Sequence, residues 1–210
     1  MNKCQRIGKI NFYLVLLLLI PSIILCYQIL NKDYSQLDSQ ILQALQKRRH
    51  FFLNIFSIAI YQISGAYITG LIVFIALVIL IRQRYWQEAK TLAFATLGIL
   101  ILVDQILKPF FDRRRPPQPR LVKDLSRESF PSGHAAGNLV LYFYLSFVLA
   151  ARYPHLAKYI YGLATILVLL IGFSSIYVNA HWATDILAGY VFGYLWLLVS
   201  LTILKFSSRN

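Results

Sequence analysis

The sequence predicts an all-α integral membrane bundle of six transmembrane helices forming a single domain. Three observations carry this. Hydrophobic residues make up 58% of the 210 residues and charged residues 14%, against about 45–50% and about 25% in soluble domains. The mean hydropathy is +0.60. The apolar residues are gathered into runs close to the ~20 residues a helix needs to cross a hydrocarbon core of about 30 Å. Those runs lack period-two alternation, and lipid admits only helices or closed barrels because every backbone group must be paired internally.

The elements follow in chain order. Lys3, Arg6 and Lys9 precede the run at 12–30, which has the look of a signal peptide. It is longer than the 7–15 residues of a signal core and no A-x-A site follows. Leu25 before Cys26 does not suit lipoprotein cleavage, so the run is expected to stay as the first membrane helix. Residues 31–52 are polar and mixed in charge, a surface or interfacial connector ending at "KRRHFF". Further spans are expected at about 58–81, 91–108, 134–151, 159–178 and 184–204. No internal repeat, low-complexity tract or soluble domain interrupts them. Cys4 and Cys26 have no metal-like spacing and are read as incidental.

The net charge of +13 would suggest nucleic acid in a soluble chain. Here the cations lie between apolar runs, so anionic lipid and topology account for them, and no nucleic-acid partner is expected. Six helices place both termini on one side with the loops near 82–90 and 152–158. That side holds ten Lys and Arg and the other holds eleven, seven of them from Lys108 to Arg127. If that loop binds anions it drops out of the count, and ten against four puts the termini in the cytoplasm. The same parity puts loop 109–133 and turn 179–183 together on the outer face, where their polar residues can converge.

Three polar stretches bear on chemistry. "KPFFDRRRPP", Lys108 to Pro117, either anchors in headgroups or binds phosphate, since Arg offers a planar fork for two oxygens and Lys a point charge. Pro131-Ser132-Gly133-His134 is a turn opening a helix, whose unpaired N–H groups make an anion site that Gly133 lets a phosphate approach. Ser132 is equally readable as an ordinary helix cap. In "SSIYVNAHWATD", His181 and Asp185 are four apart and share a helix face. The carboxylate either fixes one ring nitrogen for catalysis or ties a helix end. Asp104, four residues before Lys108, is expected to pair with it and aim the ammonium; a partner on another helix is the alternative.

Together these stretches resemble the signature of the type 2 phosphatidic acid phosphatase superfamily of membrane lipid phosphatases. Lys108 is followed by six residues and Arg115-Pro116, then comes Pro131-Ser132-Gly133-His134, then His181, three residues and Asp185. The resemblance covers about residues 50–205. One departure stands out: Ser174-Ser175 occupy the place of the family's Ser-Arg, whose arginine is a phosphate ligand. Arg113, Arg114 and Arg127 are candidates to supply the missing charge.

The resemblance implies a phosphatase acting on a lipid phosphomonoester or diphosphate through a phosphohistidine. His181 is then the nucleophile, Asp185 its orienting partner and His134 the proton donor to the leaving oxygen. Lys108, Arg115, Ser132, Ser174 and the backbone at Gly133 hold the phosphoryl oxygens. No metal or cofactor and no obligatory protein partner are expected, and the partners are membrane lipids. Candidate substrates are phosphatidate, phosphatidylglycerophosphate, a polyprenyl diphosphate or a lipid A-type phosphate. The alternatives are a lipid phosphotransferase on the same scaffold, or a non-catalytic protein that binds or transports anionic lipid. The expected location is a bacterial inner or plasma membrane with the site on its outer face.

Overall fold

The computed structural model describes residues 20, 23–24, 26–30, 36–117, 119–123 and 125–207. Residues 12–19 of the first expected span lie outside the described residues, while those described between 20 and 30 are helical. Ile29 there packs with Phe130 and Ala188. The chain continues through α1 (Gln36–Lys47), α2 (Phe51–Ile63), α3 (Ala66–Arg82) and α4 (Trp86–Leu100). A π-helical turn, Ile101–Leu107, leads into the short α5 (Lys108–Phe111). After a loop come α6 (Gly133–Arg152), α7 (Ala157–Tyr177) and α8 (Ala183–Ser207). No strand forms among the described residues; a single bridge pairs Arg114 with Glu128.

Four segments are long and apolar enough to cross a membrane: Trp86–Phe111, Gly133–Arg152, Pro154–Tyr177 and Ala183–Lys205. They match the spans expected from 91, 134, 159 and 184 onward, so the protein is an all-helical membrane protein. The run at 58–81 is different. It is two helices, α2 and α3, bent by 48° at Ser64-Gly65, and α2 takes in Phe51 and Phe52 from the expected connector. Gln62 and the Ser64-Gly65 dipeptide, a turn signal, mark the break within an otherwise apolar run. Gly65 N-caps α3, and a Cβ on it would stand 3.0 Å from the Gln62 carbonyl. The carbonyl of Ser64 freed by the break accepts from Asn138 Nδ2 on α6 at 3.0 Å, as an interrupted helix in lipid requires.

The core lies among α4, α6 and α8, with Leu92, Ile99, Val140, Tyr144 and Leu197 among its buried residues. Close approach of α6 and α8 depends on Gly189 and Gly193. A Cβ at Gly189 would stand 2.7 Å from the Ser132 carbonyl, and one at Gly193 would stand 2.9 Å from that of Ala136. This small-xxx-small stripe lets two backbones touch. It also brings the starts of both helices together: the Ser132 N–H donates to the Asp185 carbonyl at 3.1 Å.

Candidate active site

The loop between α5 and α6 supplies one wall. Asp112 ends α5 in the left-handed conformation, φ 40°, which turns the chain back toward the bundle. The Ser129 N–H then donates to the Arg113 carbonyl at 2.8 Å, and the Ser129 hydroxyl to the same carbonyl at 3.2 Å. The turn before α8 supplies the other wall. Asn179 takes φ 65°, which Asn tolerates better than most residues. Its Nδ2 donates to the carbonyls of Pro117 and Pro119. This knits the two loops that were expected to share one face.

His181 is fixed on both sides. Its Nδ1 is 2.9 Å from the Ser129 carbonyl and 3.5 Å from Asp185 Oδ2. Both are acceptors, so Nδ1 carries the proton and Nε2 keeps its lone pair. Arg115 Nη1, which only donates, stands 3.2 Å from Nε2 and fits this tautomer. The ring is 1% exposed, and burial pushes its pKa down to about 4, with the Asp185 hydrogen bond opposing. His181 therefore holds a neutral imidazole at physiological pH.

Asp185 is wholly buried and tightly committed. Its Oδ1 accepts from Arg113 Nη1 at 2.5 Å and its Oδ2 from the Trp182 N–H at 2.9 Å. The carboxylate thus orients the ring from beyond the Ser129 contact rather than as its nearest partner.

His134, on the first turn of α6, faces His181 with ring centroids 6.4 Å apart. Tyr61 of α2 stacks on it at 4.3 Å, nearly parallel at 15°. Its Nε2 has no hydrogen-bond partner among the described residues. Both histidines line one cavity of about 540 Å³, with Lys108, Arg115, Gly133, Ser126 and Asp104 around them. Away from this polar end the cavity continues between α3, α4 and α6 along Val73, Phe74, Leu77, Leu97, Leu100 and Leu141.

Lys108 Nζ bonds Asp104 Oδ1 at 2.5 Å, the pairing expected from their spacing. The π turn carries Asp104, and the Lys108 N–H reaches back to Val103. Such turns are often found at functional sites. A Cβ on Gly133 would stand 3.7 Å from Lys108 Nζ, so glycine keeps that side open. Arg115 is pinned by donating from Nε to the Ser126 carbonyl at 2.6 Å and from Nη1 to that of Ala180 at 2.7 Å.

The remaining expected ligands stand elsewhere. Ser132 is buried and acts as the helix cap, its Oγ accepting from the Ala135 N–H at 3.3 Å. Ser174 is fully buried and outside the cavity lining, and Ser175 spends its hydroxyl on the Ile171 carbonyl at 2.8 Å. None of the three arginines expected to offset Ser175 lines the cavity. Arg113 points inward to Asp38 and Asp185, because a buried guanidinium is drawn to carboxylates rather than left facing other cations. Arg127 pairs with Asp112 at the surface at 3.1 Å, and Arg114 is exposed. Two residues at the site had no sequence signal assigned to them. Ser129 acts through its carbonyl, which any residue has, and Asp38 lies in the polar connector, where a carboxylate reads as solvated.

Comparison with known proteins gives the same picture. The model of the PAP2 superfamily matches residues 88–209. Phosphatidylglycerophosphatase B of Bacillus subtilis (strain 168) is 30% identical over 135 residues, a match spanning 63% of this chain and 65% of that protein. The crystal structure of a transmembrane PAP2-type phosphatidylglycerolphosphate phosphatase from Bacillus subtilis superposes with a TM-score of 0.76 at 25% identity, over 93% of this chain and 96% of that one. LpxE of Aquifex aeolicus superposes with a TM-score of 0.66 at 25% identity, over 81% and 97%. With the motif residues gathered at one cavity and the family model covering more than half of its length, the chain belongs to the PAP2 superfamily.

Proposed function

We propose that the protein is a membrane phosphatase that removes phosphate from a lipid phosphomonoester or diphosphate through a phosphohistidine on His181. The observation that carries this reading is the pair of imidazoles facing each other across a cationic cavity that runs on into an apolar groove. The two Bacillus subtilis relatives named above are phosphatidylglycerophosphate phosphatases by name, which supports the class of reaction.

His181 Nε2 attacks phosphorus while the P–O bond to the lipid breaks, and the departing oxygen takes a proton from His134 Nε2. The dianionic phosphate between the rings supplies the negative charge that favours a proton on His134. Water then attacks the phosphohistidine, giving its proton to His134, and His181 is restored. Lys108, Arg115 and the N–H groups at Gly133 hold the equatorial oxygens. The groove along α3 and α4 takes the lipid chain while the headgroup sits at the membrane boundary. This reading makes α2 and α3 one bent span and 12–30 another. The bundle then has six spans, cytoplasmic termini and an outward-facing site.

A panel of lipid phosphates assayed for inorganic phosphate release tests the proposal. We expect release from at least one, loss on the order of 10⁴-fold or more in His181→Ala, and little change with EDTA. Product analysis with two lipids present separates hydrolysis from transfer. No release from any panel member would leave a lipid-binding role. The low affinity of His181 for protons also sets a sign. From about pH 6.5 down to about 4 the unfolded chain takes a proton that the folded ring refuses, so stability contributed by the neutral ring is present above that window and lost as pH falls through it. The acidic limb of kcat/KM accordingly lies at the bottom of that window.

A further inference from the structure

A buried charge cluster extends from Asp185 to groups that take no part in the chemistry above. Asp38 on α1 is 2% exposed, as is Arg113, and Asp185 is 0% exposed. Asp38 Oδ2 accepts from Arg113 Nη2 at 2.7 Å and from the Thr184 hydroxyl at 2.5 Å. Asp38 Oδ1 accepts from the Thr184 N–H at 3.0 Å, so a residue 146 positions away caps the start of α8. Arg113 Nη1 in turn donates to the Thr184 hydroxyl at 2.7 Å and to Asp185 at 2.5 Å. Two carboxylates thus flank one guanidinium directly behind the nucleophile. An apolar residue would dock α1 at lower cost than a buried charge, so anchoring alone does not call for an aspartate here.

We propose that Asp38 is a positioning residue of the reaction, holding Asp185 through Arg113 and Thr184 so that His181 keeps its ring orientation and its basicity. The proposal rests on the reading of His181 as the nucleophile. Asp38 offsets Arg113, whose charge otherwise draws Asp185 away from the ring. The other groups around His181 are Arg115 at 3.2 Å, His134 across the cavity, and Lys108, Asp104 and Tyr61 in its walls. A substitution at Asp38 leaves all of them in place.

Asp38→Asn keeps the shape and can still accept from Thr184, but loses the charge. It should lower kcat roughly ten- to a hundredfold, as outer partners of an oriented histidine do, with KM within about twofold. Its acidic limb should move to lower pH, because Arg113 is no longer offset. Arg113→Gln should also lower kcat but move that limb to higher pH. Asp38→Glu should return the limb toward its wild-type position. A purely structural role predicts shifts of the same sign or none, and either result overturns the proposal. The His181 titration is also readable by ¹⁵N NMR of histidine-labelled protein in micelles, with His181→Ala giving the assignment. Opposite shifts there in a protein that releases no phosphate keep the coupling and sink the phosphatase reading. Normal turnover with unmoved shifts sinks Asp38 alone. If a single variant does not fold, Asp38→Asn combined with Arg113→Gln carries the test. Its ring should titrate at or above the wild type, since Arg113 stands nearer than Asp38, and a fall overturns the proposal.

Discussion

The two histidines of the cavity sit in opposite kinds of surroundings. Behind His181 every polar group is committed: Ser129 and Asp185 hold the ring, Arg113 and Trp182 hold Asp185, and Asp38 holds Arg113. His134 has a stacked tyrosine, a hydrogen bond to the Tyr61 backbone and an Nε2 with no partner among the described residues. A nucleophile must arrive at phosphorus along one line, so its freedom is removed in advance. A proton donor must take up and release a proton during each turnover, and its reactive nitrogen has to be open to an oxygen that arrives with the substrate. On the proposed mechanism, the difference in packing is a difference in task.

The largest effect that separates the two sides is on the leaving group. His134→Ala should lower kcat/KM for a lipid phosphomonoester by about 10²–10⁴. A diphosphate with the same tail should lose distinctly less, because its leaving phosphate is already a stable anion. Paired kcat/KM measurements check this, and equal losses on both substrates would break the assignment of His134 as the acid.

A smaller effect is expected at Asp104. Its carboxylate holds the Lys108 ammonium beside Gly133. Asp104→Asn keeps a hydrogen bond but removes the charge that aims it. Losing one charge-assisted contact is worth about 1.5–3 kcal/mol, so kcat/KM should fall roughly tenfold or more. Unchanged kcat and unchanged apparent affinity would remove Lys108 from this pairing's control. Because Asp104 offsets Lys108, whose charge also acts on His181, its loss should move the acidic limb to lower pH as well, and the held KM is what sets the Asp38 variants apart.

How far the site was legible follows the same division. Lys108, Arg115, Gly133, His134, His181 and Asp185 were readable because the spacing of their motifs is written in the chain and resembles that of one family. The Asp104–Lys108 pair was readable because residues four apart share a helix face. Asp38 was not: its partners are 75 and 146 residues away, and an amphipathic helix normally turns its acids to solvent. The Ser129 contact comes from a carbonyl, to which side-chain identity is blind. The bend at Ser64-Gly65 did carry a signal, a Ser-Gly turn dipeptide after Gln62, which the mean hydropathy of the run outweighs. The Gly189–Gly193 spacing did carry a signal for close α6–α8 packing, and small residues four apart in a membrane helix point to it directly. The arginines expected to replace the one absent at Ser175 are the spare cations of the loop that carries Arg115, but Arg113 there is claimed by acids from two other elements.

The smallest effect concerns what keeps His134 in place. Tyr61 covers one face of its ring at 4.3 Å, and α2 is held at that depth by the bend that also frees the Ser64 carbonyl for Asn138. Aromatic pairs of this kind contribute about 0.5–1.5 kcal/mol beyond burial. Tyr61→Phe preserves the stacked face and should leave kcat within about twofold, while Tyr61→Leu fills the space without a flat partner and should lower it roughly three- to tenfold. The loss should fall mainly on the monoester, since only that substrate depends strongly on the proton His134 delivers. If Tyr61→Leu instead lowers turnover of both substrates equally, the tyrosine is shaping the cavity for the phosphate as a whole. The contrast between a nucleophile held at its reactive end and an acid whose Nε2 is open would then extend only as far as the hydrogen bonds.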